Sequence, residues 1–367
     1  MNKIKRAGYT ALSFFISVFG IEQPSNQSVC VYNTLYEMYC QEKCEIYWND
    51  FNIIFQTNIE HRDNTKDRRL QMLGLKRGAV ALYPHEMAWE TEAQATMARL
   101  RQILGPVAVE MAHVGSTAIP TIQAKPILDI AVAVDDFDAL LAYENQLRAA
   151  GFYYRPNAQA GVRGQLLFAS GSYYDGSGDL QTRFIHIVRT GSVDWQNYIL
   201  FRDYLRAHPD AAGEYERLKL ALAAKLPTDS GREDYVQGKQ FFIRSVLRRA
   251  LSDMLLGKTV DILVDRPLGS HHPKHTDMIY PVNYGYVTHI FSADGEEADV
   301  YLLGVSQPVE KYKGRVIAVI HRLDDVEDKW IAAPTGVTFT PDEIEKAVHF
   351  QEQYFRHEIE IYKADEV

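Results

Sequence analysis

YPVNYGYVTHIFSADGEEAD, from Tyr280 to Asp299, reads as two β-strands around a turn, with three tyrosines ahead of the turn and Asp294, Glu296, Glu297 and Asp299 in or after it. Asp-Gly is a common hairpin turn signal. Carboxylates this close repel one another unless a divalent cation or Lys/Arg partners neutralise them, and hard oxygen donors suit Mg²⁺, or Mn²⁺ in its place, better than zinc. The same run also fits a plain hairpin tip whose charges face water. The rest of the chain has to decide between these readings.

Working outward, the neighbouring sequence is β-rich. Short strands are predicted over Thr259–Val264, Tyr284–Ile290, Ala298–Gly304, Gly314–His321 and Lys329–Ala333, with turn residues between them, as a small barrel requires. One helix closes the region: Thr340 is its N-cap, Pro341 its first residue, and Glu343 stands in its first turn. From Lys258 to the end there are 20 Asp/Glu against 11 Lys/Arg, whereas the first 257 residues carry 28 of each, so the net charge of −9 belongs to this region. An acidic region argues against nucleic acid as its partner and fits cation binding.

Upstream, from Met72 to about Leu256, helix and strand alternate. Glu86–Leu104 repeats apolar residues at helical spacing and stops at Gly105-Pro106. Val107–Val109 leads as a strand into HVGST (113–117), and KPILDIAVAV (125–134) is apolar enough for a central strand. Asp136–Ala150 returns to helix, Phe184–Val188 to strand, and Trp195–Leu226 with Glu233–Leu256 supply long helices broken at Pro209. This predicts an α/β layer with a helical lobe. The turn at Gly115-Ser116 lets backbone N–H groups and a hydroxyl approach a phosphate, while Asp129 on the next strand stands ready for Mg²⁺ or for a local partner.

Residues 1–71 are a separate case. The apolar run from about Tyr9 to Ile21 is too short to span a bilayer as a helix. It has the outline of a signal peptide, but MLGLKRG from Met72 looks like a fresh protein start, so an upstream extension is the expectation. Cys30, Cys40 and Cys44 are the only cysteines and all lie in this part. No disulfide framework exists beyond it, and a cytoplasmic protein without membrane partner is expected.

Two resemblances add to this reading. The segments LKRGAVALYPHEMAW (75–89), HVGSTAIPTIQAKPILDI (113–130), RFIHIV (183–188) and FRDYLRAHPDAAGEYERLK (201–219) resemble the GrpB family, whose members have a nucleotidyltransferase-like fold. The resemblance implies Gly115 and Ser116 as the phosphate-binding turn and Asp129 as a metal ligand, with His113, Lys125 and His186 lining the same pocket. Active nucleotidyltransferases carry a second carboxylate two residues on, and here that position is Ala131. One carboxylate is too few for a two-metal site.

DRPLGS (265–270), YPVNYGYV (280–287), DGEEADVYLLGV (294–305) and DVEDKW (325–330) resemble soluble family I inorganic pyrophosphatases in order and spacing. That resemblance implies an OB-type barrel with several Mg²⁺ ions that hydrolyses diphosphate to two phosphates. It implies Asp294, Glu296, Asp299 and Asp328 as metal ligands, joined by Asp324 or Asp325, with Lys329, Lys274, Tyr284 and Tyr354 on phosphate. Three departures stand out: Glu296 replaces an aspartate, Phe355 replaces a lysine, and 267–280 is too short for the family's arginine, although Asp265 falls near its early acid.

The expected organisation is therefore residues 1–71, an α/β domain at 72–256 and a barrel domain at 258–367. The expected partner is diphosphate or another phosphate anhydride, with a nucleotide at the first domain and a homo-oligomer compatible with both. Nucleotide transfer by the first domain, and a chain that binds phosphate without turnover, are the competing functions. His271, His272 and His275 are read as a loop bordering the phosphate site, since no further ligand is spaced to complete a zinc tetrahedron.

Overall fold

The computed structural model describes residues 73–156, 164–227, 230–273, 275–292, 295–325 and 327–363. The expected N-terminal extension and its three cysteines lie outside these residues, as do Lys274 and Asp294. No helix among the described residues is long and apolar enough to cross a membrane.

The first domain is built on a five-stranded sheet. Its elements are β1 (Leu75–Lys76), α1 (Met87–Leu104), β2 (Glu110–Val114), β3 (Leu128–Val134), α2 (Phe137–Leu141), α3 (Glu144–Ala149), β4 (Tyr153–Tyr154), β5 (Gln165–Ser170), α4 (Ser172–Asp175), β6 (Leu180–Gln181) and β7 (Arg183–Arg189). The order is β2-β3-β7-β5-β4, with β3 and β7 parallel and the other pairs antiparallel, while β1 and β6 form a separate ribbon. The run LDIAVAV becomes an inner strand because both of its faces are covered. Ile130, Val132 and Val134 pack with Trp89, Leu100 and Leu104 of α1. Ala131, on the opposite face, lies with Ala112 and Val114 under Trp195, Tyr198 and Ile199.

Those last three side chains belong to α5 (Val193–Ala207), which is followed by α6 (Pro209–Lys225), α7 (Arg232–Gly238) and α8 (Gln240–Leu255). Pro209 separates α5 from α6, as expected for a residue without an N–H and with a restricted predecessor. The predicted helix over 136–150 is two short ones, and the strand predicted over 107–109 begins instead at Glu110, after a 3₁₀ turn at Gly105–Val107. The small strands β4 and β5 carry no clear alternation in sequence.

The helix α8 has two apolar faces. Phe242 and Val246 pack into the helical lobe, whereas Leu251 and Leu255 join the barrel core. The chain then turns at Gly257, whose φ of 77° is left-handed; a Cβ there would meet the ring of Tyr362 at 2.4 Å, so only glycine fits.

The second domain comprises β8 (Thr259–Arg266), β9 (Asn283–Phe291), β10 (Glu297–Leu302), β11 (Lys311–Arg322), β12 (Lys329–Ala333), α9 (Pro341–Glu352) and β13 (His357–Ile361). The order β12-β10-β9-β8-β11 closes because β11 also pairs with β12, giving the expected small five-stranded barrel, and β13 pairs with the far half of β11. Alternation sorts the side chains. Val300, Leu302, Trp330 and Ala332 enter one cluster, and Tyr301, Leu303, Ile331 and Ala333 another, where Ile344 and Val348 of α9 cover them. Thr340 and Glu343 cap α9 reciprocally, so Glu343 has the helix-start role expected of it.

Candidate functional site

Two side-chain clusters gather many of the residues singled out from sequence. In the first domain, β3 begins beside the turn at Gly115, whose φ is 70° and whose replacement by a Cβ would place that atom 2.5 Å from Asp129 Oδ2. The turn thus needs glycine for the close approach as well as for its backbone conformation. Asp129 Oδ1 lies 3.1 Å from His186 Nε2, and His186 stacks obliquely on Tyr198, centroids 5.2 Å apart. Burial works against the charged Asp129, but the hydrogen bond and charge of His186, with Lys125 behind them, hold its pKa below the usual carboxylate value.

Cations surround this single acid. Lys125 Nζ and Lys239 Nζ sit 5.0 and 4.6 Å from the ring centre of Tyr235, and the Arg232 guanidinium lies 5.0 Å from that of Phe184. Burial, and then the charges of Lys239 and Arg232, push the pKa of Lys125 well below the lysine value. His113 is tied elsewhere, between Glu90 at 3.2 Å and Thr117 at 3.0 Å. It forms part of the wall of a cavity of about 500 Å³ along β2 that Trp195, Arg202 and Arg206 also line. Ala131 is fully buried beneath α5, so a second carboxylate at that position would be carried under the helix.

In the second domain, β9, β10 and β12 bring Tyr284, Asp299 and Lys329 together. The Tyr284 hydroxyl donates to Asp299 Oδ2, and the Lys329 ammonium contacts both Asp299 and Glu327. Burial and the Asp299 charge push the phenol of Tyr284 far up, so it remains a neutral donor at every physiological pH. Arg266, at the end of β8, places its guanidinium 5.0 Å from the ring centre of Tyr284 and 5.8 Å from that of Tyr280. Its neighbour Asp265 has a raised pKa: burial is the main cause, Arg266 opposes it, and the negative charge of Asp299 adds to it.

Glu327, which was not singled out from sequence, therefore stands where Asp328 was expected. Consecutive residues of an extended chain point to opposite sides, so the residue two before Lys329 shares its side and the residue one before does not. Asp328 faces the first domain instead. Arg248 of α8 grips it with two nitrogens, Nε at 3.0 Å, and His321 Nδ1 lies 3.0 Å away. Asp325 pairs with Arg322 at 3.0 Å, and Arg322 also holds the buried Glu352 and stacks 3.7 Å from the ring centre of Phe355. Asp324 accepts from the backbone N–H of Arg356 at 3.1 Å. Glu296 is exposed, and Tyr354 is 69% exposed just beyond α9.

The histidine loop holds itself: His271 Nδ1 lies 2.7 Å from the Thr276 carbonyl, and His272 accepts from the N–H of His275. Among the described residues no group of three or more His, Cys, Asp or Glu is placed to hold a metal ion.

Comparison with known proteins matches each half separately. The model of the GrpB protein family matches residues 79–249 and that of inorganic pyrophosphatase residues 260–364. The glutamate-rich protein GrpB of Alkalihalophilus pseudofirmus is 34% identical over 177 residues, 48% of this chain and 98% of that one. The chain belongs to the GrpB family. The UPF0157 protein YqkA of Bacillus subtilis is 36% identical over 152 residues, which span only 41% of each protein. The solved structure of GrpB from Enterococcus faecalis has 25% identity and a TM-score of 0.41, covering 47% of this chain and 99% of that one.

The chain is thus a GrpB domain followed by a domain that matches the inorganic pyrophosphatase model. In the GrpB domain the site is a cationic cleft around one held carboxylate. In the pyrophosphatase domain it is a set of facing carboxylates with Lys329 and Arg266 among them. Two signals in the sequence point to the residues that were missed. Glu327 has the same alternation parity as Lys329, and Arg266 lies inside the DRPLGS motif, which offers the cation that the short 267–280 stretch lacks.

Proposed function

We propose that residues 260–364 hydrolyse diphosphate, or another phosphoric anhydride, with Mg²⁺. The observation that carries this reading is the meeting of Asp299, Glu327, Tyr284 and Lys329 on one side of the barrel wall, with Asp265 and Arg266 close by. The donor set fits a hard divalent cation: the oxygens of Asp299 and Glu327 already converge on one positive group, and Asp265 feels the charge of Asp299. Asp299 and Glu327 would hold the ion, and Asp265 and Asp294 are proposed to complete its oxygen set. The chemistry it supplies when bound is neutralisation of the anhydride and a water acidic enough to ionise near neutrality.

The chain's own groups do the rest. Lys329 and Arg266 would receive phosphate oxygens, Lys329 standing beside Asp299 and Glu327, the carboxylates that would hold the cation. Tyr284 orients Asp299 through its hydroxyl and adds no charge to a site that binds an anion. Tyr354 and Lys274 are proposed as further phosphate donors. Phosphate release from diphosphate by the purified chain tests the reading. We expect Mg²⁺-dependent release that Glu327→Gln lowers on the order of 10²-fold; release no greater than that of Asp299→Asn would refute it.

A second reading concerns the GrpB domain and is favoured by the cluster of Lys125, Arg232 and Lys239 around Asp129. Three cations against one acid, itself engaged by His186, suit the binding of a phosphate-bearing ligand such as a nucleotide better than two-metal nucleotidyl transfer. Binding of ATP in EDTA, measured by calorimetry, is the expected result, and labelled nucleotide transfer lost in Asp129→Ala would overturn it.

A further inference from the structure

The segment that carries Glu327 lies outside the barrel's regular hydrogen-bond ladder, since β12 begins only at Lys329. Side-chain contacts therefore help to place it, and one of them, a two-nitrogen fork, comes from the other domain. Arg248 of α8 forks onto both oxygens of Asp328 and donates to the carbonyl of Arg322 at 3.3 Å. Asp328 is only 6% exposed, and His321 is its other partner. Because Asp328 stands between Glu327 and Lys329, fixing it on one side fixes both neighbours on the other.

The second carboxylate-bearing segment is held in a similar way. The side-chain amide of Gln196 on α5 donates to the carbonyl of Phe291 at 2.7 Å and accepts from its N–H at 3.0 Å, copying a strand pair. Phe291 ends β9 and is paired with Glu297, so this contact sits at the foot of the acidic turn that leads to Asp299. Gln196, Arg248, Leu251, Phe291 and Asp328 border one small cavity, which places both grips at the same point of the domain junction.

We propose that Arg248, helped by Gln196, is a positioning residue of the barrel's phosphohydrolase site, so that the GrpB domain is a structural part of that site and not a neighbour on a tether. The proposal rests on the hydrolase reading above for its activity arm alone. Neither residue touches substrate; each acts by holding the backbone that presents Glu327, Lys329 and Asp299. A small displacement of such groups is costly for a reaction that depends on alignment.

The full chain serves for the test, as Arg248→Met and Asp328→Asn, singly and together, beside the wild type. Hydrogen exchange without metal or substrate is the first readout: Arg248→Met is expected to speed exchange across 324–330 while β8 keeps its protection. The second readout is diphosphate turnover, where kcat is expected to fall roughly tenfold with little change in KM. The double variant should lose no more than the worse single one, as for two members of one contact. Unchanged exchange at 324–330 in Arg248→Met overturns the proposal, as do additive losses in the double variant. Should Arg248→Met fail to fold, Arg248→Lys, which keeps the charge and loses the fork, is read in the same way. If the wild type shows no turnover, the hydrolase reading fails, and the exchange comparison still decides whether Arg248 positions the segment.

Discussion

The two clefts of this chain are built with opposite charge logic. In the pyrophosphatase domain Asp265, Asp299 and Glu327 outnumber Lys329 and Arg266, whereas in the GrpB domain Lys125, Arg232 and Lys239 outnumber Asp129. A site with excess carboxylate suits a cation, through which it would reach a phosphate. A site with excess ammonium and guanidinium reaches the phosphate directly. The contrast extends to the acids themselves. Asp129 is held by His186 and pressed against Gly115, while Asp299 is held by a phenol and an ammonium.

The largest expected effect breaks the comparison on the acidic side. Asp299→Asn removes the charge shared by Tyr284 and Lys329, and Mg²⁺-dependent phosphate release should drop on the order of 10²–10³-fold with the barrel still folded by circular dichroism. A loss under about threefold would mean that the carboxylates do not serve the reaction.

The cationic side has a pH signature. Lys219 is 1% exposed, and burial, with Lys239 adding to it, lowers its pKa to about 7. The unfolded chain keeps that proton up to about pH 10, so between the two values the unfolded state binds more protons and stability rises with pH. Denaturant midpoints should therefore climb from about pH 7 to pH 9, at up to about 1.4 kcal/mol per pH unit. In Lys219→Met that climb should be shallower, with the remainder owed to Lys125, whose pKa burial also lowers.

Removing one cation at the GrpB cleft should cost less. Lys125→Met is expected to weaken ATP binding in EDTA roughly tenfold, about the value of one charge-assisted hydrogen bond. Equal affinity of the variant and the wild type would detach the cleft from anion binding. The smallest change is remote from both clefts: Thr340→Ala at the cap of α9 should lower stability by about 1 kcal/mol and leave both ligand affinities unchanged.

Much of the architecture was legible because its periodicities are strong. LDIAVAV gave an inner strand, Thr340 to Glu343 a capped helix, and the five short β-runs from Thr259 to Ala333 a closed barrel. The strand β13 escaped because its alternation, HEIEI, is brief and charged. At the site, Tyr284, Asp299 and Lys329 meet, since each lies in a strand whose partner is near in sequence or fixed by a motif. The meeting of Arg322 with Glu352 and Phe355 depends on how α9 packs against β11, which no local pattern encodes.

The stretch from Tyr280 to Asp299 shows where that division falls. By itself the sequence determined that two strands flank an acidic turn and that the chemistry there is of hard oxygen donors, because residue type and alternation are local properties. Only the tertiary structure decided which downstream acid joins Asp299. Glu327 and Asp328 are one residue apart and chemically alike, and they are separated by the side of the chain each occupies. Arg248, from a different domain, takes Asp328, and Lys329 keeps Glu327.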